Sequence, residues 1–348
     1  MKRILIYVLC LAVVLFSVWI LIGGRINRLG RQWAVSYEIS NTSYGYGDYY
    51  KITDLNDFKI RIDKVSSPEL HTATSAQILL MGDSFFYAKN DSEVFANGLE
   101  KKIDKTAYKF PDRTGVPIPD LKSLNYKKGD SKIFILETVE RYTLKRAATY
   151  RETDPPTTAL SFRDKVNKLC RDVFDGKDME YFFRHNFLIY PLRQWIINWK
   201  YRYLGMVDYR ILARSFSPKM LFNFEEVVFA REEIKDEGIT KAADNIKFLA
   251  DKLKKDFNLD LVYMIMPNAY SIYYKHDASG GGSYNNFIPR LHEELKKRGV
   301  KFADVYSRYR NFADKSDNPP LYYANDSHFV PLGKSIAIDE VAKVLGAK

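Results

Sequence analysis

Apolar residues fall into two patterns along this chain. Short unbroken runs occupy 78–81 (ILLM), 132–136 (KIFIL) and 260–266 (DLVYMIM), each too short for a helix and bounded by polar residues, which predicts buried strands. Elsewhere they recur every three or four residues. Over 239–257 this spacing puts Ala242, Ile246, Phe248, Leu249 and Leu253 on one broad face, which predicts a helix. A second helix is predicted over 287–298, stopped by Gly299, then a short strand over 300–305. A last helix over 331–345 opens with Pro331 near its first turn. Strands separated by helices predict an α/β fold, a three-layer sandwich around a mostly parallel sheet.

A third pattern stands at the amino end. Residues 4–22 (ILIYVLCLAVVLFSVWILI) form 19 positions without a charge, behind Lys2 and Arg3. At about 1.5 Å per residue a helix of this length matches the hydrocarbon core of a bilayer. The run ends in Trp19-Ile20-Leu21-Ile22-Gly23-Gly24 rather than in the small residues of a cleavage site, so an uncleaved anchor over 1–24 is the expectation. Bulky Leu9 before Cys10 argues against a lipoprotein signal. Such anchors usually place the large carboxyl-terminal part outside the cytoplasm, in the periplasm or at the cell surface. Residues 25–75 are polar and tyrosine-rich, a linker and peripheral segment, and 76–348 is the α/β domain.

That domain carries a less regular insertion at about 150–235. Its stretch 179–206 (MEYFFRHNFLIYPLRQWIINWKYRYLGM) is dense in aromatics and arginines. It reads either as two core-packed helices around Pro191 or as a surface against a cleft or a bilayer.

Composition narrows the function classes. Aromatics make up 15% of residues, enough for a core and for a sugar-binding cleft as well. Of the formal charge of +11, five charges lie in residues 1–31, which contain no acid, so the rest is mildly basic. There is no Lys/Arg run and no nucleic-acid motif, so no nucleic-acid partner is expected. Cys170 is the single cysteine beyond the apolar start, which excludes an intrachain disulfide within the main domain. No His/Cys/Asp cluster has ligand spacing, so neither a metal nor another cofactor is implied.

The candidate chemistry sits where apolar runs break. The first strand runs directly into Gly82-Asp83-Ser84. In open α/β sheets ligands bind beyond the carboxyl ends of the strands, so Ser84 stands at the rim of the sheet. A serine hydroxyl needs an adjacent base to act as a nucleophile. His328 supplies one, with Asp326 two residues before it in 322–333 (YYANDSHFVPLG). If this segment is extended, the two side chains share a face and the carboxylate orients the imidazole. Turn and helix-cap roles are open to Gly82-Asp83-Ser84, Asp326 and Ser327 as well.

A strand followed by GDSF, with DSHFVPLG before the last helix, resembles the SGNH (GDSL-like) hydrolase superfamily. Within it, 134–146 (FILETVERYTLKR) is similar to the segment after the serine block in bacterial polysaccharide O-acetyltransferases of the alginate type. The resemblance covers about residues 76–346. It implies that Ser84 is the nucleophile, that Asp326 and His328 complete a triad, and that a glycan is the substrate. For a transferase it also implies a membrane-embedded partner delivering the acyl group. Three departures stand out: the spacing is Asp-x-His rather than Asp-x-x-His, the motif follows the serine rather than preceding it as in the acetyltransferases, and Phe329 replaces their usual tryptophan. Asn268, after the strand at 260–266, and Asn285 are candidates for the oxyanion-holding amide, with turn roles open to both. Arg141 is a candidate for binding an acidic sugar, with a solvated or salt-bridged role on a helix open to it as well. The alternative is a non-catalytic glycan-binding or assembly module that keeps the same fold.

Overall fold

The computed structural model of the chain describes residues 7–15, 17–18, 44–45, 55, 60–61, 71–87, 95–110, 117–123, 126, 128–129, 132–151, 189–315 and 318–346. They fall into two compact units. One comprises Met1–Thr42, Asp54–Asn56 and Pro156–Val207, and the other comprises Ser43–Thr53, Asp57–Pro155 and Asp208–Lys348.

Beside a short antiparallel pair, Tyr44–Gly45 with Ile60–Arg61, the described strands of the second unit are β1 (Ile78–Met81), β2 (Ala107–Lys109), β3 (Lys132–Val139), the hairpin β4 (Ile211–Phe216) and β5 (Lys219–Asn223), then β6 (Leu259–Met266) and β7 (Lys301–Ala303). Five of them form one sheet in the order β2-β1-β3-β6-β7, and every neighbouring pair is parallel. All of β1 and the last six residues of β6 are buried. Successive side chains of a strand point to opposite faces, so both faces of the sheet are covered.

Beyond the amino end, the described α-helices are α1 (Phe95–Ile103), α2 (Pro117–Ser123), α3 (Thr143–Thr149), α4 (Ile189–Leu204, in the first unit), α5 (Phe224–Arg231), α6 (Asp236–Phe257), α7 (Ala269–Tyr273), α8 (Phe287–Lys297), α9 (Val305–Ala313) and α10 (Pro331–Val344). α6 packs with α3 and α8, while α10 packs with α1 and α9. Two helix groups around a parallel sheet give the expected layered α/β architecture.

The strand order fixes where a ligand can enter. The chain leaves β1 for β2 on one side and returns to β3 on the other. A crevice opens at such a reversal, beyond the carboxyl ends of the two strands. Gly82-Asp83-Ser84 follows β1, and Glu140-Arg141 follows β3.

Several boundaries differ from the sequence reading for physical reasons. β3 runs on to Val139 although the apolar run stops at Leu136, because Glu137 and Thr138 are buried polar residues with partners. The Thr138 hydroxyl lies 3.0 Å from both the Thr143 and the Tyr263 hydroxyls. α6 starts at Asp236 and ends on Asn258, whose φ of 57° is left-handed. Gly299, at φ 67°, ends α8 as expected. Pro191 lies in the first turn of α4, where its missing N–H costs nothing, and the positions of a helix before it, up to 188, lie outside the described residues. Cys170 lies outside the described residues.

At the amino end, residues 7–15 and 17–18 are helical and their side chains are exposed. Among the described residues no helix is long and apolar enough to cross a membrane. The remaining positions of the 1–24 segment lie outside the described residues.

Candidate active site

The sheet register delivers the site. Met81 pairs with Leu136, so the next residue of β1's chain, Gly82, lies beside Glu137. A Cβ at Gly82 would stand 2.5 Å from Glu137 Oε2 and 2.7 Å from its Cβ, closer than any side chain tolerates. Only glycine lets the two strands end this way. Glu137 then turns back and accepts the Asp83 N–H at 2.5 Å. The Asp83 carboxylate in turn accepts from Arg146 Nη2 at 2.5 Å and from the Val139 N–H at 3.4 Å. The residue before Ser84 is thus held on both its backbone and its side chain.

Ser84 opens a short 3-10 turn, Ser84–Tyr87, closed by Phe86 N donating to Asp83 O at 3.1 Å. The first N–H groups of such a turn have no partner within it, which leaves the Ser84 N–H available to a developing negative charge. The Ser84 side chain is half-buried, at the end of a fully buried strand.

Residues 321–330 form a closed loop rather than an extended segment. Tyr322 bridges Phe329 in antiparallel fashion, and Val330 N donates to Leu321 O at 2.9 Å. Gly333 is required just beyond, since a Cβ there would meet Leu321 O at 2.5 Å. Asp326 Oδ1 accepts the His328 backbone N–H at 2.8 Å and lies 2.5 Å from His328 Nδ1. The carboxylate therefore bends the chain into an Asx turn, and this turn, not strand-like alternation, brings the imidazole onto it. That is why two residues of spacing suffice.

A carboxylate only accepts, so Nδ1 carries the proton and Nε2 is the basic nitrogen. The Asp326 side chain is fully buried, while the histidine keeps 14% exposure. This arrangement suits a base that must meet a substrate.

Two segments far apart in sequence meet here. The ring of Phe85, next to Ser84, lies 5.2 Å from the His328 ring and 5.1 Å from the Phe329 ring. Of the residues singled out in the sequence, Asp326 and His328 are in contact, and the His328 ring lies against Phe85, the residue after Ser84.

Asn268 follows β6 at the carboxyl end of the same sheet. Met266 pairs with Val139, so continuing the register two residues sets Asn268 beside Arg141. Arg141 Nη1 donates to Asn268 Oδ1 at 2.9 Å, and Asn268 N donates to Glu140 Oε2 at 2.8 Å. A guanidinium has no acceptor, so it fixes which way the amide points and leaves Nδ2 as the other end. Asn268 is 1% exposed, and among the described residues nothing accepts from Nδ2. A buried donor left this way costs about 1–3 kcal/mol, which marks it as a residue kept for another purpose. The neighbouring Pro267 carbonyl accepts from Tyr322 Oη at 2.7 Å, tying Asn268 to the histidine loop.

Asn285 is placed elsewhere in function. Its Nδ2 donates to the Phe229 and Glu232 carbonyls at 2.6 and 2.9 Å, and its Oδ1 accepts from Phe287 N at the start of α8. Arg141 faces Glu225 and Glu226 as well as Asn268, so its charge is balanced within the protein.

Sequence reasoning passed over Glu137 and Arg146. Burial pushes the Glu137 carboxyl up to about 8, with the Asp83 carboxylate adding to the rise, while the Asp83 N–H, Arg146 and His328 oppose it. Glu140 is likewise raised by burial, to about 7, against the Asn268 N–H and Tyr284 hydroxyl that bond it. For a raised carboxyl the stability it contributes is complete below the unfolded value of 4.5 and is lost as pH climbs through the folded one. Glu137→Gln keeps the shape and does not titrate. Its melting temperature relative to wild type is therefore expected to rise between pH 4.5 and about 8 and to level above. A flat difference across that range in thermal melts contradicts the buried neutral carboxyl.

Comparison with known proteins adds likeness only at a distance. No protein-family profile matches the chain, and no curated protein does. Among solved structures it is similar to Axe2, an acetylxylan esterase from Geobacillus stearothermophilus, at 9% identity and a TM-score of 0.35, over 78% of this chain and 95% of that one. It is also similar to a GDSL-like lipase from Parabacteroides merdae, at 11% identity and a TM-score of 0.35, over 81% of this chain and 100% of that one. Likeness at this level leaves both fold and chemistry to be argued from the chain's own residues.

Proposed function

We propose that this chain is a serine-dependent acyl-ester enzyme of SGNH type. Ser84 is its nucleophile, His328 its general base and Asp326 the orienting carboxylate. The observation that carries this reading is the contact of Phe85 with His328 while Asp326 holds the Nδ1 side of that ring. It sets the one oriented imidazole of the histidine loop beside the residue next to the serine.

The reaction follows from the roles. The Ser84 Oγ–H bond breaks as Oγ attacks the acyl carbonyl, and His328 Nε2 takes the proton. The Asp326 carboxylate stabilises the imidazolium that results. The oxyanion is held by the Ser84 N–H and Asn268 Nδ2. Collapse expels the alcohol, which receives the proton from His328, and leaves an acyl-Ser84 ester. A second hydroxyl, deprotonated by the same histidine, then attacks that ester and restores the serine. Water as the second nucleophile gives an esterase, and a sugar hydroxyl gives an O-acyltransferase.

The finer reading is addition or removal of O-acetyl groups on a cell-envelope polysaccharide, with the chain held by residues 1–24 and the domain outside the cytoplasm. It is supported by the uncharged run at 4–22 and by the acetyltransferase-like segment 134–146. As a transferase it would draw its acyl group from a membrane-embedded partner. The test is to supply the full chain in detergent with a chromogenic acetyl ester, with and without an oligosaccharide acceptor. Chromophore release with acetylated oligosaccharide is expected of a transferase, and release with free acetate alone of an esterase. No release in either arm favours a glycan-binding module.

A further inference from the structure

One surface outside the site has a pattern that burial in this chain does not explain. On α4, Leu192, Trp195, Ile196, Trp199 and Tyr203 are 59%, 64%, 36%, 44% and 67% exposed. At 100° per residue the five fall within an arc of about 100°, the width of a stripe that normally faces a core. Here the stripe faces out. Gln194 and Asn198 lie on the opposite, less exposed side, with Asn198 Nδ2 donating to Gln194 O at 2.7 Å. Exposed Arg202 flanks the stripe on one edge and exposed Lys200 on the other, with Arg193 beyond it. From 189 to 207 there are these three basic residues and no acid.

We infer that this face of α4 is a bilayer-contact surface, lying in the headgroup region of an anionic membrane. Tryptophan and tyrosine favour that depth because their rings are apolar and their N–H and O–H groups polar. The flanking cations match anionic headgroups, as in helices that lie in the interface. The same compact unit contains residues 7–15 and 17–18, a helix with apolar side chains exposed on every side. A helix apolar all round also belongs in lipid or protein. The inference rests in part on the membrane-held reading above.

The test uses the full chain with Trp19→Phe and Trp33→Phe, which leaves Trp195 and Trp199 as its fluorophores. It is reconstituted in vesicles of phosphatidylcholine and phosphatidylglycerol. Loss of most of the emission to lipids brominated high on the acyl chain, with little quenching by aqueous iodide, is expected. Lys200→Glu with Arg202→Glu should shift the emission to the red. Co-flotation with iodide quenching and no lipid quenching overturns the inference. So does resistance to both quenchers in a dimer, which would assign the face to a second copy. A chain quenched by lipid yet stripped by carbonate overturns the anchor and leaves the α4 surface standing. A chain that does not float overturns both.

Discussion

Ser84→Ala and His328→Ala are each expected to lower acetyl-ester turnover by about 10³–10⁶-fold, and the double variant by little more than either alone. The two residues act as one unit: without the imidazole the hydroxyl keeps its proton, and without the hydroxyl the imidazole has nothing to activate. Asp326→Asn should cost up to roughly 10⁴-fold, because an amide can present its N–H to Nδ1 and favour the wrong tautomer. It should also loosen the 321–330 loop, since Oδ1 accepts the His328 backbone N–H as well as facing the ring. Measuring kcat and KM separately against one chromogenic ester, with circular dichroism to confirm folding, checks the set. Turnover unaffected by Ser84→Ala would transfer the chemistry to another residue.

Asn268→Ala should lower kcat by about 10²–10³-fold with KM little altered, the usual effect of removing one oxyanion donor. The basis is structural economy. An amide buried to 1% exposure with an unused donor is a cost unless that donor is needed when charge develops on a substrate oxygen. Arg141→Ala should follow in the same direction by a smaller factor, because Arg141 orients the amide rather than touching the reacting atoms. Asn285→Ala serves as the contrast. Its amide is committed to the Phe229 and Glu232 carbonyls, so it should lower thermal stability while leaving kcat near wild type. Equal kcat for wild type and Asn268→Ala would remove that residue from the oxyanion site.

Much of the site's framework was legible in the sequence, because chemistry at a sheet rim interrupts apolar runs. Ile78–Met81 ends where the pattern said, and Ser84 follows the break. The final helix opens at Pro331 just after the His328 loop. What stayed hidden depends on register and on three-dimensional company. Glu137 continues an apolar strand by one residue and would be read as its end. Only the pairing of Met81 with Leu136 sets it under Gly82, and only burial among Asp83 and its neighbours gives it a raised pKa. The Asx turn at Asp326 was read as extended backbone because spacing alone does not say that a carboxylate will capture the N–H two residues on. For α4, an apolar stripe at helical spacing reads the same whether it faces a core or leaves it. Its outward direction was invisible until exposure was known.

The most direct measurement is covalent. Treat the full chain with a fluorophosphonate and locate the adduct by peptide mass spectrometry, in wild type and in His328→Ala. An activated serine reacts where an ordinary hydroxyl does not, so a phosphonylated Ser84 in wild type, absent or strongly slowed in His328→Ala, is the expected result. Unmodified Ser84 in a folded wild-type chain, or equal labelling with and without the imidazole, would contradict a nucleophile activated by His328.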